Sequence, residues 1–142
     1  MALLPDTSTE VAGGITVATT GTASMPNKTY RMRIEEDRVR GTITGDIEAV
    51  RQAVYKILNT ERYKHIIYSW NYGVELQDLF GKPIPYVLPE IPRRIREALI
   101  QDDRITEVDS FDMSYTKGGD VLAKFVVHTI YGDIEESKEV KV

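Results

Sequence analysis

From Ile105 to Val142 the chain alternates apolar and polar residues in three runs, broken at Lys117-Gly-Gly-Asp and again at Tyr131-Gly-Asp. Period-two alternation sends successive side chains to opposite faces of a strand, and glycine turns between such runs join them as antiparallel neighbours. Strands are therefore expected over residues 105–115, 121–130 and 134–142. A sheet with one apolar face has to be covered, and the residues that can cover it lie upstream. Ile47, Val50, Val54, Ile57 and Leu58 recur at helical spacing after Gly45, with Asp46 expected as N-cap and Glu48 in the first turn. Ile91, Ile95, Ala98 and Leu99 give a second helix its buried face, from near Glu90 to Gln101, with Pro92 in its first turn and Arg93, Arg94 and Arg96 on the other side.

Ahead of the first helix, KTYRMRI places Tyr30, Met32 and Ile34 on one face, and VRGTIT does the same for Val39, Gly41 and Ile43. With EEDR between them they read as an antiparallel hairpin. Between the helices, HIIYS reads as a short strand and Asn71-Tyr72-Gly73 as a turn. Residues 74–80 read as a short helix stopped by Gly81, and Lys82-Pro-Ile-Pro-Tyr as a stiff linker. The expectation is one small α+β domain over residues 28–142: a largely antiparallel sheet with two main helices and no internal repeat. Residues 1–27 stand apart. They are rich in Thr, Gly, Ala and Ser without an apolar stripe, and are expected to form an extended arm held by a partner.

Composition narrows the function. The chain has 142 residues, 42% of them hydrophobic, and carries 18 basic against 22 acidic side chains. A net charge of −4 argues against nucleic acid as a partner, because phosphate neutralisation needs a cationic face. The charge is uneven: −2 over residues 1–27, +3 over 28–101 and −5 over 102–142, which suits neighbours of both signs. There is no cysteine, hence no disulfide, thiol nucleophile or Cys-based zinc site, and His65 and His128 lack companions at metal spacing. No apolar run approaches the roughly 20 residues of a membrane span, and the N-terminus lacks the basic and apolar regions of a signal peptide, so a soluble chain made inside the cell is expected. Phosphate loops, nucleophile elbows and zincin motifs are missing. Glu61, Glu75, Asp78, Asp102 and Asp103 could in principle supply a glycosidase pair, but nothing in the order of residues brings two of them together. No catalytic residue, metal ligand or cofactor is assigned.

What remains suits contacts. Tyr63, Tyr68, Trp70, Tyr72 and Phe80 crowd into 18 residues, either as a plug between the helices or as an interface. The last run, IEESKEVKV, is polar except for Ile134, Val140 and Val142, and is a candidate for joining another chain's sheet.

Residues 57–81, ILNTERYKHIIYSWNYGVELQDLFG, followed by residues 91–108, IPRRIREALIQDDRITEV, resemble the wedge or sheath-initiator proteins of contractile phage-tail baseplates, also called lysozyme-like. The nearer likeness is to the prophage tail subfamily of Gram-positive bacteria, and it runs over residues 28–142. The resemblance implies a structural protein without enzymatic activity in the baseplate of a phage or tail-like particle. It would be present in several copies in a sixfold assembly put together in the host cytoplasm, with wedge proteins, sheath subunits and tube proteins as partners. It implies a terminal strand, here with Ile134, Val140 and Val142, that joins the arms of sheath subunits. It also implies a wedge contact at a Glu-Pro-Arg signature after the second helix, where this chain has Asp102, Asp103 and Arg104. The arginine is kept, the acid is one methylene shorter and the proline is absent. Tyr72 and Gly73 match the family's aromatic–glycine turn, with Trp70 and Phe80 beside it as structural aromatics. A baseplate peptidoglycan hydrolase and a generic adaptor domain are the competing readings.

Overall fold

A computed structural model of the chain describes residues 27–142 and, ahead of them, the backbone of two short strands, β1 (Ser8–Val11) and β2 (Ile15–Ala18). These two pair antiparallel, Ser8 opposite Ala18. The expected extended arm over residues 1–27 otherwise lies outside the described residues. The α+β expectation holds, with the strands of the domain divided between two antiparallel sheets rather than one. β3 (Thr29–Arg33) and β4 (Arg38–Ile43) form a hairpin. β5 (Ile105–Tyr115), β6 (Val121–Thr129) and β7 (Gly132–Val140) form a three-stranded meander in that order.

Two helices cover one face of the meander. α1 (Asp46–Leu58) buries Ala49, Val50, Val54, Ile57 and Leu58; α2 (Ile84–Leu99) buries Val87, Ile91, Ile95, Ala98 and Leu99. All of these but Ala49 meet Val108 of β5, Val121, Ala123, Phe125 and Val127 of β6, and Ile134 and Val140 of β7 in a single core. Burying a side chain of this size contributes about 1.5–3 kcal/mol each. The hairpin is tied to α1 by the Gln52 amide, which donates to Tyr30 O (2.7 Å) and accepts from Met32 N–H (2.8 Å), as a neighbouring strand would.

Four expectations are corrected. Gly45, not Asp46, occupies the cap of α1; Asp46 is its first helical residue and accepts a hydrogen bond from Asn27 Nδ2 at 2.7 Å. α2 begins at Ile84 instead of Glu90, so the proline-rich linker is half helix, with Pro85 in the first turn and Pro89 and Pro92 inside. Each interior proline withholds one ladder hydrogen bond, and four fully buried side chains on one stripe, Val87, Ile91, Ile95 and Leu99, hold the helix regardless. Residues 74–80 form only a single 3-10 turn, Gln77–Leu79, because the Glu61 carboxylate accepts the N–H groups of Leu76 and Gln77 (3.2 Å each). HIIYS is a series of turns, with Ile66 and Ile67 in solvent and no strand beside them.

The three arginines of α2 also diverge instead of sharing a side. Arg93 pairs with Glu90 at the surface, and Arg94 joins Glu90, Asp78 and the Glu75 carbonyl. Arg96 donates to Val108 O at 3.0 Å while lying over the Phe111 ring.

Candidate functional site

Three features of the surface and its support could engage another chain. The first is β7. Its pairing with β6 runs unbroken from Gly132 opposite Thr129 to Val140 opposite Val121, and among the described residues no strand pairs with its other edge. Alternation sends Ile134 and Val140 into the core and leaves Asp133, Glu135, Ser137 and Glu139 exposed. Glu136 and Lys138 sit half-buried under α1, Glu136 at 3.5 Å from Arg51 and Lys138 donating to Asn59 Oδ1 at 2.8 Å. Burial pushes the Glu136 carboxyl up, against the pull of Arg51, and pushes the Lys138 amine down. The opposite edge of the meander is less regular. β5 carries register shifts on both sides of Val108, has Ser110 at φ +56°, and has its Val108 carbonyl occupied by Arg96. β7 is the smooth edge. Ile134 and Val140 shape it from within, and Val142 is partly buried against the core.

The second is the corner after α2. Arg104 forks onto Asp102, Nε to Oδ1 at 2.9 Å and Nη2 to Oδ2 at 2.7 Å, and its backbone N–H reaches Oδ1 at 3.0 Å. Both side chains are about 6% exposed. Arg104 Nη1 continues to Asn27 Oδ1 (3.2 Å), Asn27 Nδ2 donates to Asp46 and to Tyr131 Oη (2.7 Å each), and Arg104 O accepts from Ile130 N–H. One ion pair thus ties the end of α2, the entry to β3, the start of α1 and the β6–β7 turn. Burial pushes the Asp102 carboxyl up, but the fork, the backbone donor and the Arg104 charge outweigh it and hold the group below its usual value. The forked pair expected to reach a partner at this position is closed inside the chain, and Asp103 alone of the three is exposed.

The third is the loop from Thr60 to Val74. Its ends are clasped: Val74 N–H donates to Thr60 O (2.9 Å) and Arg62 N–H to Val74 O (3.2 Å). The Arg62 guanidinium also bonds Gly73 O, Glu75 and Glu97. Tyr68 stacks on Tyr72 with ring centroids 4.5 Å apart, and burial raises the Tyr72 phenol, with Tyr68 and then Asp102 adding to it. The tip faces outward, with Ile66 fully exposed, Ile67 86%, Trp70 82% and Tyr63 67% exposed. The aromatic residues are thus no plug: Trp70 and Phe80 are in solvent and only Tyr72 packs against the core.

Gly73 closes the clasp. It has φ +97°, and a Cβ there would lie 2.5 Å from Thr60 O. Gly73→Ala should therefore lower the unfolding free energy by about 2–3 kcal/mol, from a disfavoured backbone region and a backbone clash together. Urea titration followed by circular dichroism measures it; an unchanged midpoint would contradict the clasp.

On the outer face of the meander, His128 lies between two carboxylates, Nδ1 to Asp133 at 2.7 Å and Nε2 to Asp109 at 2.8 Å. The spacing of histidines in the sequence had singled out no such cluster, because its members come from three different strands. Both ring nitrogens can donate only as imidazolium, so Asp133 first and Asp109 second raise the His128 pKa. The stabilisation this supplies is full below the unfolded histidine pKa of about 6.5 and is lost as pH rises through the higher folded value. Proton NMR should find His128 titrating above the unfolded histidine value of about 6.5, and Asp133→Asn should lower it; a His128 midpoint at or below that value would contradict the arrangement. Among the described residues no group of three His, Asp or Glu side chains is placed to hold a metal, and no helix is long and apolar enough to cross a membrane.

The fold matches a known class. A crystal structure from Geobacter sulfurreducens, described as a tail lysozyme, superposes with a TM-score of 0.60 over 72% of this chain and 96% of that one, at 19% identity. The model of the contractile injection system sheath initiator family matches residues 22–132. The XkdS protein of the phage-like element PBSX of Bacillus subtilis is 42% identical over 113 residues, 77% of this chain and 79% of that protein. The chain belongs to the contractile injection system sheath initiator family.

Proposed function

We propose that the chain sits in the baseplate of a phage tail or tail-like particle, in several copies around the tube, and templates the first sheath ring through the open edge of β7. The observation that carries this reading is that edge: nine residues of strand, regular along their whole length and, among the described residues, paired on one side only. An incoming extended arm would gain backbone hydrogen bonds along it, and alternate side chains would set the register. The segment matched by the family model ends at Gly132, so the templating role of β7 rests on its geometry.

Wedge subunits are proposed to meet the corner at Asp102, Asp103 and Arg104. Asp102 and Arg104 are buried against each other, so such a contact would meet the exposed surface at Asp103 and the backbone shape that the fork maintains. The role is structural, not enzymatic. Glu61, Glu75, Asp78 and Asp102, four of the acids that could have served a hydrolase, are engaged by Leu76 and Gln77 amides, Arg62, Arg94 and Arg104 respectively.

Deleting the gene and imaging induced lysates by electron microscopy tests the reading. Tubes and baseplates without sheath are expected. Complete extended tails would contradict it, and loss of cell-wall clearing with normal tails would favour a hydrolase.

A further inference from the structure

The templating edge and the buried fork leave the loop between Thr60 and Val74 without a task, although it exposes more apolar surface than any other segment described. Tyr63, Ile66, Ile67 and Trp70 all stand out in solvent within one short stretch of chain, and clustered exposed apolar side chains mark contact sites on soluble proteins. The loop is also held in shape. Its ends are clasped through Thr60, Arg62 and Val74, Tyr68 is stacked on Tyr72, and Tyr63 stands at φ +66°, a conformation that a bulky side chain keeps only when its surroundings impose it. A preshaped apolar tip loses little freedom on docking.

Charge and position say what covers it. Residues 62–74 contain no acid; Arg62 is neutralised by Glu75 and Glu97, while no carboxylate among the described residues pairs with Lys64. The tip is thus apolar with a cationic shoulder on a chain of net charge −4. The surface complementary to it is an apolar groove rimmed by acids. The loop is also continuous with the proposed wedge corner: Ser69, Asn71, Tyr72 and Gly73 line one cleft of about 170 Å³ with Gln101 and Asp102.

We propose that this loop is the anchor that seats the chain in the baseplate, its Ile66, Ile67 and Trp70 tip entering an apolar, acid-rimmed groove on a neighbouring non-sheath subunit. The proposal rests on the baseplate reading above. An anionic bilayer has related chemistry, but the fixed loop shape favours a protein groove.

The test uses tail particles purified from cells lacking the sheath gene, so that templating by β7 plays no part. The Ile66→Asp/Ile67→Asp chain is expected to be at least tenfold depleted from these particles relative to wild type, while melting at the wild-type temperature when purified. Because the chain has no cysteine, Ser69→Cys offers a second reading. Maleimide should label it in the free chain and fail to label it in particles, whereas Lys117→Cys, at the β5–β6 turn, is labelled in both. Wild-type incorporation of the double variant, or full labelling of Ser69→Cys in particles, would overturn the anchor and leave the baseplate reading standing. Absence of the wild-type chain from sheathless particles would overturn both. Self-association, or binding to vesicles of anionic phospholipid, that the double variant abolishes while its incorporation stays normal would overturn it in favour of a second copy or a membrane.

Discussion

Replacing Arg104 with Ala lowers the unfolding free energy by about 3–5 kcal/mol, because removing one partner of a buried pair leaves the Asp102 carboxylate charged, with the backbone N–H of residue 104 in place of the fork. In a domain of this size that corresponds to a fall in Tm of roughly 10–20 °C. The loss exceeds that of an exposed ion pair, worth about 0–1 kcal/mol, since Arg104 also positions Asn27 and through it Asp46 and Tyr131. Arg104→Lys recovers little, as an ammonium cannot satisfy both carboxylate oxygens and Asn27 at once. The acid limb of the stability curve carries the same signature. Asp102 has a lowered folded pKa, so its contribution is present above the unfolded value of about 3.9 and disappears as pH falls through the folded one. In the Arg104→Ala chain that part of the acid dependence should vanish. Thermal and urea unfolding between pH 2 and 7 read both effects, and a loss below about 1 kcal/mol would mean that the fork is solvated.

Ser137→Pro leaves the fold in place and abolishes sheath assembly. Thr129 and Gly132, joined by two residues, form the closing hydrogen-bonded pair of the β6–β7 hairpin, so backbone N–H groups alternate along β7, inward at Gly132 and outward at Ser137. Proline at an outward position of an edge strand breaks no bond to β6 and empties no core volume; a stability change under about 1 kcal/mol is expected. An arm adding to that edge loses a hydrogen bond and meets the proline ring. Together these exceed about 1.4 kcal/mol, a factor of ten in association at each contact. Ser137→Thr keeps the donor and should keep the sheath. Point substitution is a cleaner test than trimming residues 140–142, because Val140 is buried opposite Val121 and Val142 packs on the core. Counting sheathed particles in lysates of each variant, with the melting temperature of the purified chain as control, reads the outcome.

The parts of the fold legible in the sequence were those governed by periodicity. Val50, Val54, Ile57 and Leu58 of α1, and the strands of the meander, follow from spacing alone. Where the prediction failed, long-range contacts decided the outcome, by their presence or by their absence. Residues 74–80 read as a helix until the Glu61 carboxylate, 15 residues away from Leu76, takes the amides. Glu90 looked like a helix start because four prolines precede or flank it, yet four buried side chains on the far face sustain a helix through two of them. β-prone HIIYS failed as a strand for want of a neighbour. The candidate sites divide in the same way. The polar run of β7 marked an edge strand, but nothing local told that Arg104 would turn inward onto Asp102, that Ile66 and Ile67 would face solvent, or that His128 would find Asp109 and Asp133 on adjacent strands.

The most direct measurement is the cryo-electron-microscopy structure of an extended tail baseplate containing this chain. The account predicts a strand from a sheath subunit hydrogen-bonded along the free edge of β7 between Gly132 and Val140, extending the meander from three strands to four. A β7 edge facing solvent, or covered by side chains with no added strand, would contradict it.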